Sequence, residues 1–190
     1  MTKFTQEQVD NLNSTIKTTE EALQWVSDNL HPKVAKASSF GAEDAVVMDI
    51  MLKINPNFRF FTLGTGRLPQ ETYDIMEIVE KKYNISVEVL LPDTKEVEEM
   101  VKEKGLDLFY ESVDNRKLCC EIRKVHPMNK MLNTLDGWIT GLRRDQTKNR
   151  EDVTIFQLDH GHGEILKINP IVDWTWDQIQ EYIKKNNLPY

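Results

Sequence analysis

The feature that most constrains the fold of this chain is a repeated unit of a short apolar strand, a turn and a helix. The predicted strands of these units cover residues 34–39, 58–63 and 85–91. The helices that follow them cover residues 42–54, 69–84 and 94–104. Strands that alternate with helices of this length form a parallel sheet with helices on both faces. The sequence therefore predicts an α/β fold with a Rossmann-like sheet.

The rest of the chain continues this pattern less regularly. We expect a helix over 18–30, a helix over 116–132 that Pro127 bends or interrupts, a strand over 138–142, a hairpin of strands 155–158 and 164–168, and a last helix over 175–187. His160 and His162 lie in the glycine-rich turn of the hairpin, which favours a plain turn over a metal site. We divide the chain into an N-terminal helical segment, residues 1–33, and a domain of residues 34–190.

Composition and charge exclude several classes of function. No apolar run approaches the roughly 20 residues that span a bilayer, and the N-terminus is too polar for a secretory signal. We therefore expect a cytoplasmic protein with no membrane partner. The formal net charge of −7 argues against non-specific binding to nucleic acid. An anionic ligand would have to be held by a local cluster of cations.

Three turns that follow predicted strands should meet at one edge of the sheet, where parallel sheets bind their ligands. The first turn opens a helix whose N-terminal N–H groups can hold an anion, and guanidinium groups in the other turns match the oxygen atoms of phosphate or sulfate. Together the three turns predict a nucleotide site. Its candidate residues are Ser38, Ser39, Gly41 and Asp44 in the first turn, Leu63, Gly64, Thr65 and Arg67 in the second, and Gly141, Arg143, Arg144 and Gln146 in the third.

The two cysteines of the chain, Cys119 and Cys120, are adjacent. Neighbouring cysteines rarely bridge each other, so the pair indicates metal ligands or reactive thiols, with two buried apolar side chains as the alternative. An iron–sulfur cluster normally takes four thiolates, so the pair cannot complete one alone. The basic residues around the pair favour thiolate over thiol and suit a negatively charged cluster near an anionic substrate; they are Arg116, Lys117, Arg123 and Lys124.

Five motifs occur together, in order, and give the chain a specific resemblance. They are SFGAED at 39–44, TGRLPQETY at 65–73, CCEIRKV at 119–125, TGLRRDQ at 140–146 and KINP at 167–170. From about Val34 onward the chain resembles the assimilatory adenylyl-sulfate reductase branch of the phosphoadenylyl-sulfate reductase family. The resemblance implies an adenine nucleotide alpha hydrolase-like fold. Residues 34–190 would then form a sulfonucleotide-binding reductase domain.

The resemblance also implies an activity, the thioredoxin-dependent reduction of adenosine 5′-phosphosulfate to sulfite and AMP in sulfate assimilation. The first turn would face the phosphosulfate, and residues 63–65 would border the adenosine. Lys124 would lie between cluster and substrate, with Arg143 and Arg144 at the anionic end, and these three would be catalytic. Cys119 and Cys120 would be two of the four ligands to a 4Fe–4S cluster.

The chain departs from the family pattern in two places. Gly64 stands where the family usually has aspartate, and the chain as given ends at Tyr190 without the second cysteine pair and the tail that bears the nucleophilic cysteine. If these 190 residues are the whole protein, we expect it to bind nucleotide without producing sulfite. Two alternatives are an ATP-pyrophosphatase-loop transferase, such as a sulfate adenylyltransferase subunit, and a non-catalytic nucleotide-binding remnant. Preference for the 3′-phosphorylated nucleotide and association into a homo-oligomer stay open.

Overall fold

The computed structural model describes residues 4–147 and 150–190. Its helices are α1 (Gln6–Thr15), α2 (Thr19–Asn29), α3 (Ala42–Ile54), α4 (Gln70–Tyr83), α5 (Thr94–Lys104), α6 (Val113–Cys120), α7 (His126–Leu132) and α8 (Trp176–Asn186). Its strands are β1 (Val34–Ala37), β2 (Arg59–Leu63), β3 (Glu88–Leu90), β4 (Gly137–Ile139), β5 (Phe156–Asp159) and β6 (Ile165–Ile168). Within the described residues, no helix is both long and apolar enough to cross a membrane.

The six strands form one sheet in the order β3-β2-β1-β4-β6-β5. Every neighbouring pair is parallel except β5 and β6, which form the predicted antiparallel hairpin. The predicted α/β fold with a Rossmann-like sheet is confirmed. The chain winds outward from β1 to β3 and then returns to β4 on the other side of β1. The carboxyl ends of β1 and β4 therefore flank the switch point, where sheets of this kind bind their ligands.

The two N-terminal helices pack in the same core as the sheet. Val9 of α1 and Leu23 of α2 are fully buried in the main apolar cluster. The side-chain amide of Asn13 donates to the Phe156 carbonyl at 2.8 Å and accepts from the Phe156 N–H at 3.0 Å, so it pairs with the edge strand β5 as a neighbouring strand would. The division of the chain at residue 33 stays a prediction.

The helix expected over 116–132 is divided into three segments. It begins earlier, at Val113, and a wide π-helical turn over Glu121–Val125 separates α6 from α7. Pro127 has no N–H to donate, and its ring would clash with a carbonyl one turn earlier, so a widened turn before it relieves both problems. The turn directs Ile122 and Arg123 into the protein, where both are buried.

A buried carboxylate joins three helices. Asp49 of α3 accepts hydrogen bonds from the hydroxyls of Tyr182 in α8 at 2.8 Å and of Tyr83 in α4 at 2.9 Å, and it pairs with Lys53 at 2.6 Å. Burial opposes ionisation of Asp49, but the hydrogen bonds from Lys53, Tyr182 and Tyr83 outweigh it and hold the pKa below the ordinary value of 3.8. This network fixes α8 on the sheet.

We predict that replacing this carboxylate changes the acid stability of the protein. A group whose pKa is depressed by folding stabilises the fold above its unfolded pKa, and that stabilisation is lost as the pH falls through the folded pKa. Asp49→Asn should lower the free energy of unfolding at neutral pH by about 1.5–3 kcal/mol, and the difference from wild type should shrink below pH 3.8. Urea unfolding across this pH range measures it, and a difference that does not change with pH would contradict the assignment.

Candidate functional site

A cavity of about 500 Å³ opens at the carboxyl ends of β1, β2 and β4. One wall is the face of the sheet that carries Phe61 and Trp138, and the other is the helical region after the cysteines, which contributes Lys124 and Met128. The structure brings most of the predicted site residues to this cavity. Those that line it are Ser38, Ser39, Gly41, Asp44, Leu63, Thr65, Lys124, Gly141 and Gln146.

The loop after β1 presents an open helix N-terminus to the cavity. Helix α3 begins after Gly41, which has no side chain to cap the first N–H groups. Phe40, just before it, adopts a left-handed backbone conformation with φ of 64°, which is costly for a bulky residue and is sustained here by burial of its ring. The unsatisfied N–H groups and the helix dipole make this end of α3 suited to an anion.

A buried ion pair fixes this loop. The Asp44 carboxylate accepts the Ser39 N–H at 2.6 Å and the Ser39 hydroxyl at 2.9 Å, and the Lys36 ammonium donates to its other oxygen and to the Ala37 carbonyl. The Lys36 side chain is 0% exposed. Asp44 therefore borders the cavity, but its oxygens are occupied and it positions Ser39. The sequence identifies Lys36 only as part of a strand, because this lysine belongs to none of the five motifs.

Gly141 brings the turn after β4 against the start of α3. A Cβ at this position would lie 2.6 Å from Asp44 Oδ1 and 3.2 Å from Glu43 Cβ, both too close for a side chain. The missing side chain therefore lets the first and third predicted turns approach each other. Gly141 acts through this close approach, and it lines the cavity with its backbone.

A buried arginine side chain holds the second predicted turn in place. Arg123 is buried, and its guanidinium donates to the Thr65 carbonyl at 2.7 Å. The sequence analysis named Arg123 only as a cation near the cysteines. A Cβ at Gly64 would lie 2.6 Å from Val89 Cγ1 and 2.9 Å from Leu91 Cδ2, so these side chains fill the space that aspartate would need. Gly64 itself is not among the residues that line the cavity.

Arg143 lies behind the cavity rather than in its lining. Its guanidinium pairs with Glu43 at 3.1 Å and with Asp145 at 2.6 Å, and it lies over the ring of Trp176. Its side chain is only 6% exposed. The structure therefore does not place Arg143 at an anionic end of the cavity, because two carboxylates already neutralise it and it joins the third turn to α3.

Arg67 and Arg144 are also drawn away from the cavity by carboxylates. Arg67 pairs with Asp107 at 2.6 Å. Arg144 pairs with Asp173 and donates to the Val153 carbonyl at 2.7 Å. The sequence could not reveal these pairings, because the partners lie 29 to 40 residues away in the chain.

Three other basic side chains line the cavity. They are Lys124, which the sequence analysis had proposed, and Arg150 and Lys167, which it had not. Within residues 4–147 and 150–190 none of the three pairs with a carboxylate; Arg150 bonds instead to the Gln146 side-chain oxygen. Lys167 lies in the KINP motif, so the sequence carries a signal that could have identified it. Arg150 lies in none of the five motifs. The cavity therefore carries positive charge without a counter-ion, in a chain with a net charge of −7.

The cysteines lie at the end of α6, just before the π-helical turn that carries Lys124, and outside the lining of the cavity. Cys119 packs beside an apolar cluster of Met100, Leu108 and Ile122, and Cys120 is exposed. In the part of the chain that the structure describes, no group of three or more histidine, cysteine or acidic side chains could hold a metal ion. Two thiols alone do not complete a four-thiolate cluster.

We predict that the Lys36–Asp44 pair contributes strongly to stability. Lys36→Met leaves a buried carboxylate without its counter-ion, which should lower the free energy of unfolding by about 3–5 kcal/mol in a urea titration. Lys81→Met is the matched control, because Lys81 pairs with Glu77 in α4 but its side chain is 74% exposed. An equally small effect of both substitutions would show that the buried pair does not hold the loop.

Comparison with known proteins finds relatives that match most of this chain. Adenosine 5′-phosphosulfate reductase 2 of Bacillus subtilis is 38% identical over 171 residues, which cover 90% of this chain and 70% of that protein. Adenosine 5′-phosphosulfate reductase of Allochromatium vinosum is 38% identical over 154 residues, which cover 81% of this chain and 60% of that protein. The chain thus spans about two thirds of the length of these relatives.

A solved structure shows a similar fold over the whole chain. The phosphoadenylyl-sulfate reductase of Candida auris, in a phosphate complex, superimposes with a TM-score of 0.85 at 26% identity, covering 100% of this chain and 90% of that one. The expected adenine nucleotide alpha hydrolase-like fold is confirmed. Residues 33–190 match the phosphoadenosine phosphosulfate reductase domain, so this chain belongs to the phosphoadenosine phosphosulfate reductase family.

Proposed function

We propose that this chain binds adenosine 5′-phosphosulfate and forms the nucleotide-binding part of an enzyme that reduces it to sulfite and AMP in sulfate assimilation. One observation carries the proposal: an uncapped helix N-terminus and three cations that pair with no carboxylate of the described residues line one cavity at the switch point of the sheet. That arrangement suits a small ligand with several negative charges. The relatives named as adenosine 5′-phosphosulfate reductases support the choice of nucleotide.

The cavity offers different surroundings to the two ends of such a nucleotide. Leu63, Thr65 and Leu68 give the β2 side a largely apolar lining for the adenosine. The start of α3 and the cations Lys124 and Arg150 suit the phosphosulfate. This division assigns the anion to the backbone N–H groups, Lys124 and Arg150 rather than to the serine hydroxyls, because Ser39 already donates to Asp44.

The proposed reaction is a transfer of the sulfonate group to sulfur. A thiolate attacks the sulfonate sulfur, the bond from that sulfur to the bridging oxygen breaks, and AMP leaves with the electron pair. One thiolate of a dithiol such as thioredoxin then attacks the cysteine sulfur of the resulting S-sulfocysteine and displaces sulfite. Its second thiol attacks the mixed disulfide, which releases the enzyme thiolate and leaves the dithiol oxidised to a disulfide. Lys124 would stabilise charge on the transferring group. We assign the attacking thiolate to neither Cys119 nor Cys120, which we propose as cluster ligands.

We predict that Lys124 is needed for the affinity of the cavity for the anion. Lys124→Met should weaken binding of adenosine 5′-phosphosulfate about tenfold or more, since hydrogen bonds to charged groups contribute about 1.5–3 kcal/mol. Isothermal titration calorimetry measures this. Lys130→Met is the matched control, because Lys130 is an exposed lysine of the neighbouring helix α7 and lies outside the cavity lining.

The same titrations compare ligands. Adenosine 5′-phosphosulfate should bind more tightly than ATP, and the reverse order would favour an ATP-pyrophosphatase-loop transferase. Equal losses of affinity from Lys124→Met and Lys130→Met would show that the cavity is not the binding site. A comparison with the 3′-phosphorylated nucleotide establishes which sulfonucleotide this chain prefers.

We also propose that Cys119 and Cys120 are two of four ligands to a 4Fe–4S cluster. The two thiols are adjacent, one is exposed, and Lys117 and Lys124 lie near them in the chain, which suits thiolates that hold a negatively charged cluster. The other two thiolates would come from outside the described residues. Such a cluster would supply electrostatic influence beside the substrate. Thiolate ligands and a dithiol reductant both suit a reducing compartment such as the cytoplasm.

We predict that iron in the anaerobically purified protein depends on this pair. Wild-type protein that includes the source of the other two thiolates should contain iron and acid-labile sulfide and show broad visible absorbance. A double variant, Cys119→Ser with Cys120→Ser, should lose all three while it still binds AMP, because the cysteines lie outside the lining of the nucleotide cavity. Wild-type protein without iron, or iron retained by the double variant, would contradict the assignment.

A further inference from the structure

We infer that Lys167 is a further substrate-contacting residue, which binds the anionic end of the nucleotide directly. The inference rests on the proposed function and adds a residue from β6 to the site. Lys167 is partly buried and lines the cavity together with the loop after β1 and Lys124. Its strand lies beyond β4 in the sheet, so the cation reaches the cavity from a different side than the residues of the first two turns.

The position of Lys167 is set by its neighbour across the sheet. Lys167 of β6 is in register with Trp138 of β4, so the two side chains stand on the same face of the sheet. The Lys167 ammonium lies over the Trp138 ring, 5.3 Å from its centroid. This cation–π contact directs the ammonium along the wall that faces the ligand.

The indole beneath Lys167 is itself held in place. Trp138 is only 9% exposed, and its Nε1–H donates to the Asp159 carboxylate at 2.9 Å. The other Asp159 oxygen lies 2.9 Å from His162 Nδ1, in the turn of the hairpin. The hydrogen bond to Asp159 fixes the indole on which the ammonium rests. A cation held on a fixed support is pre-organised for a ligand.

The Lys167 ammonium forms no ion pair in the described part of the chain. Among the residues whose positions the structure describes, no carboxylate lies within ion-pair distance of its ammonium. Lys36, at the same edge of the sheet, is instead paired with Asp44. A partly buried ammonium without a counter-ion is unfavourable unless a ligand supplies the negative charge. A phosphate or sulfonate group in the cavity does so.

The test separates a ligand contact from simple packing on the indole. We compare wild-type protein with Lys167→Met, Lys167→Gln and Lys167→Arg by calorimetric titration with adenosine 5′-phosphosulfate, AMP and adenosine. The Met and Gln variants should bind adenosine 5′-phosphosulfate about tenfold or more weakly, whereas the Arg variant retains most of the affinity. Adenosine, which has no anion, should bind all four proteins equally. Lys185→Met, at an exposed lysine of α8, should match wild type.

The ligands also locate the contact. An equal loss for AMP and adenosine 5′-phosphosulfate places Lys167 at the phosphate, and a loss confined to adenosine 5′-phosphosulfate places it at the sulfonate; both support the inference. Unchanged affinity in the Met and Gln variants, or an equal loss for adenosine, overturns it and leaves the proposed function intact. Failure of wild-type protein to bind adenosine 5′-phosphosulfate overturns the proposed function, and the inference with it.

Discussion

The buried pair of Lys36 and Asp44 is the interaction on which the geometry of the site depends. The pair lies where β1 ends. The Asp44 carboxylate also accepts two hydrogen bonds from Ser39 and lies close to Gly141, where a Cβ would collide with it. Two turns from distant parts of the chain thus meet at the start of α3, and the helix N-terminus stays open toward the cavity. Without that pairing, a buried aspartate at this point would repel the anion that the site is proposed to hold.

A second organising feature is the sorting of positive charge. The arginines that frame the site, Arg143 above all, are neutralised by carboxylates and serve to join elements. The cations that line the cavity have no such partners in the described chain. This protein has an excess of acidic residues, yet the cavity is lined by cations without carboxylate partners among the described residues, because the nearby acidic side chains are paired with other basic residues. That pairing suits the cavity to an anionic ligand.

Much of the fold follows from local sequence, because caps and apolar spacing act over a few residues. Helices α3 and α5 and the hairpin of β5 and β6 lie where the sequence predicts them. The site is predicted less completely. The order of the motifs located the three turns. Whether an arginine contacts the ligand or joins two elements depends on whether it pairs with a carboxylate. Glu43, the partner of Arg143, lies 100 residues away from it in the chain. The π-helical turn at 121–125 depends likewise on how the helix packs.

The most direct measurement is a crystal structure of this chain with adenosine 5′-phosphosulfate bound. The account predicts the phosphosulfate at the N-terminus of α3, with the side-chain nitrogens of Lys124, Arg150 and Lys167 within hydrogen-bonding distance of its oxygens and the Arg143–Glu43 pair still formed. A phosphosulfate that lies outside this cavity, or one that displaces Glu43 to bind Arg143, would contradict it.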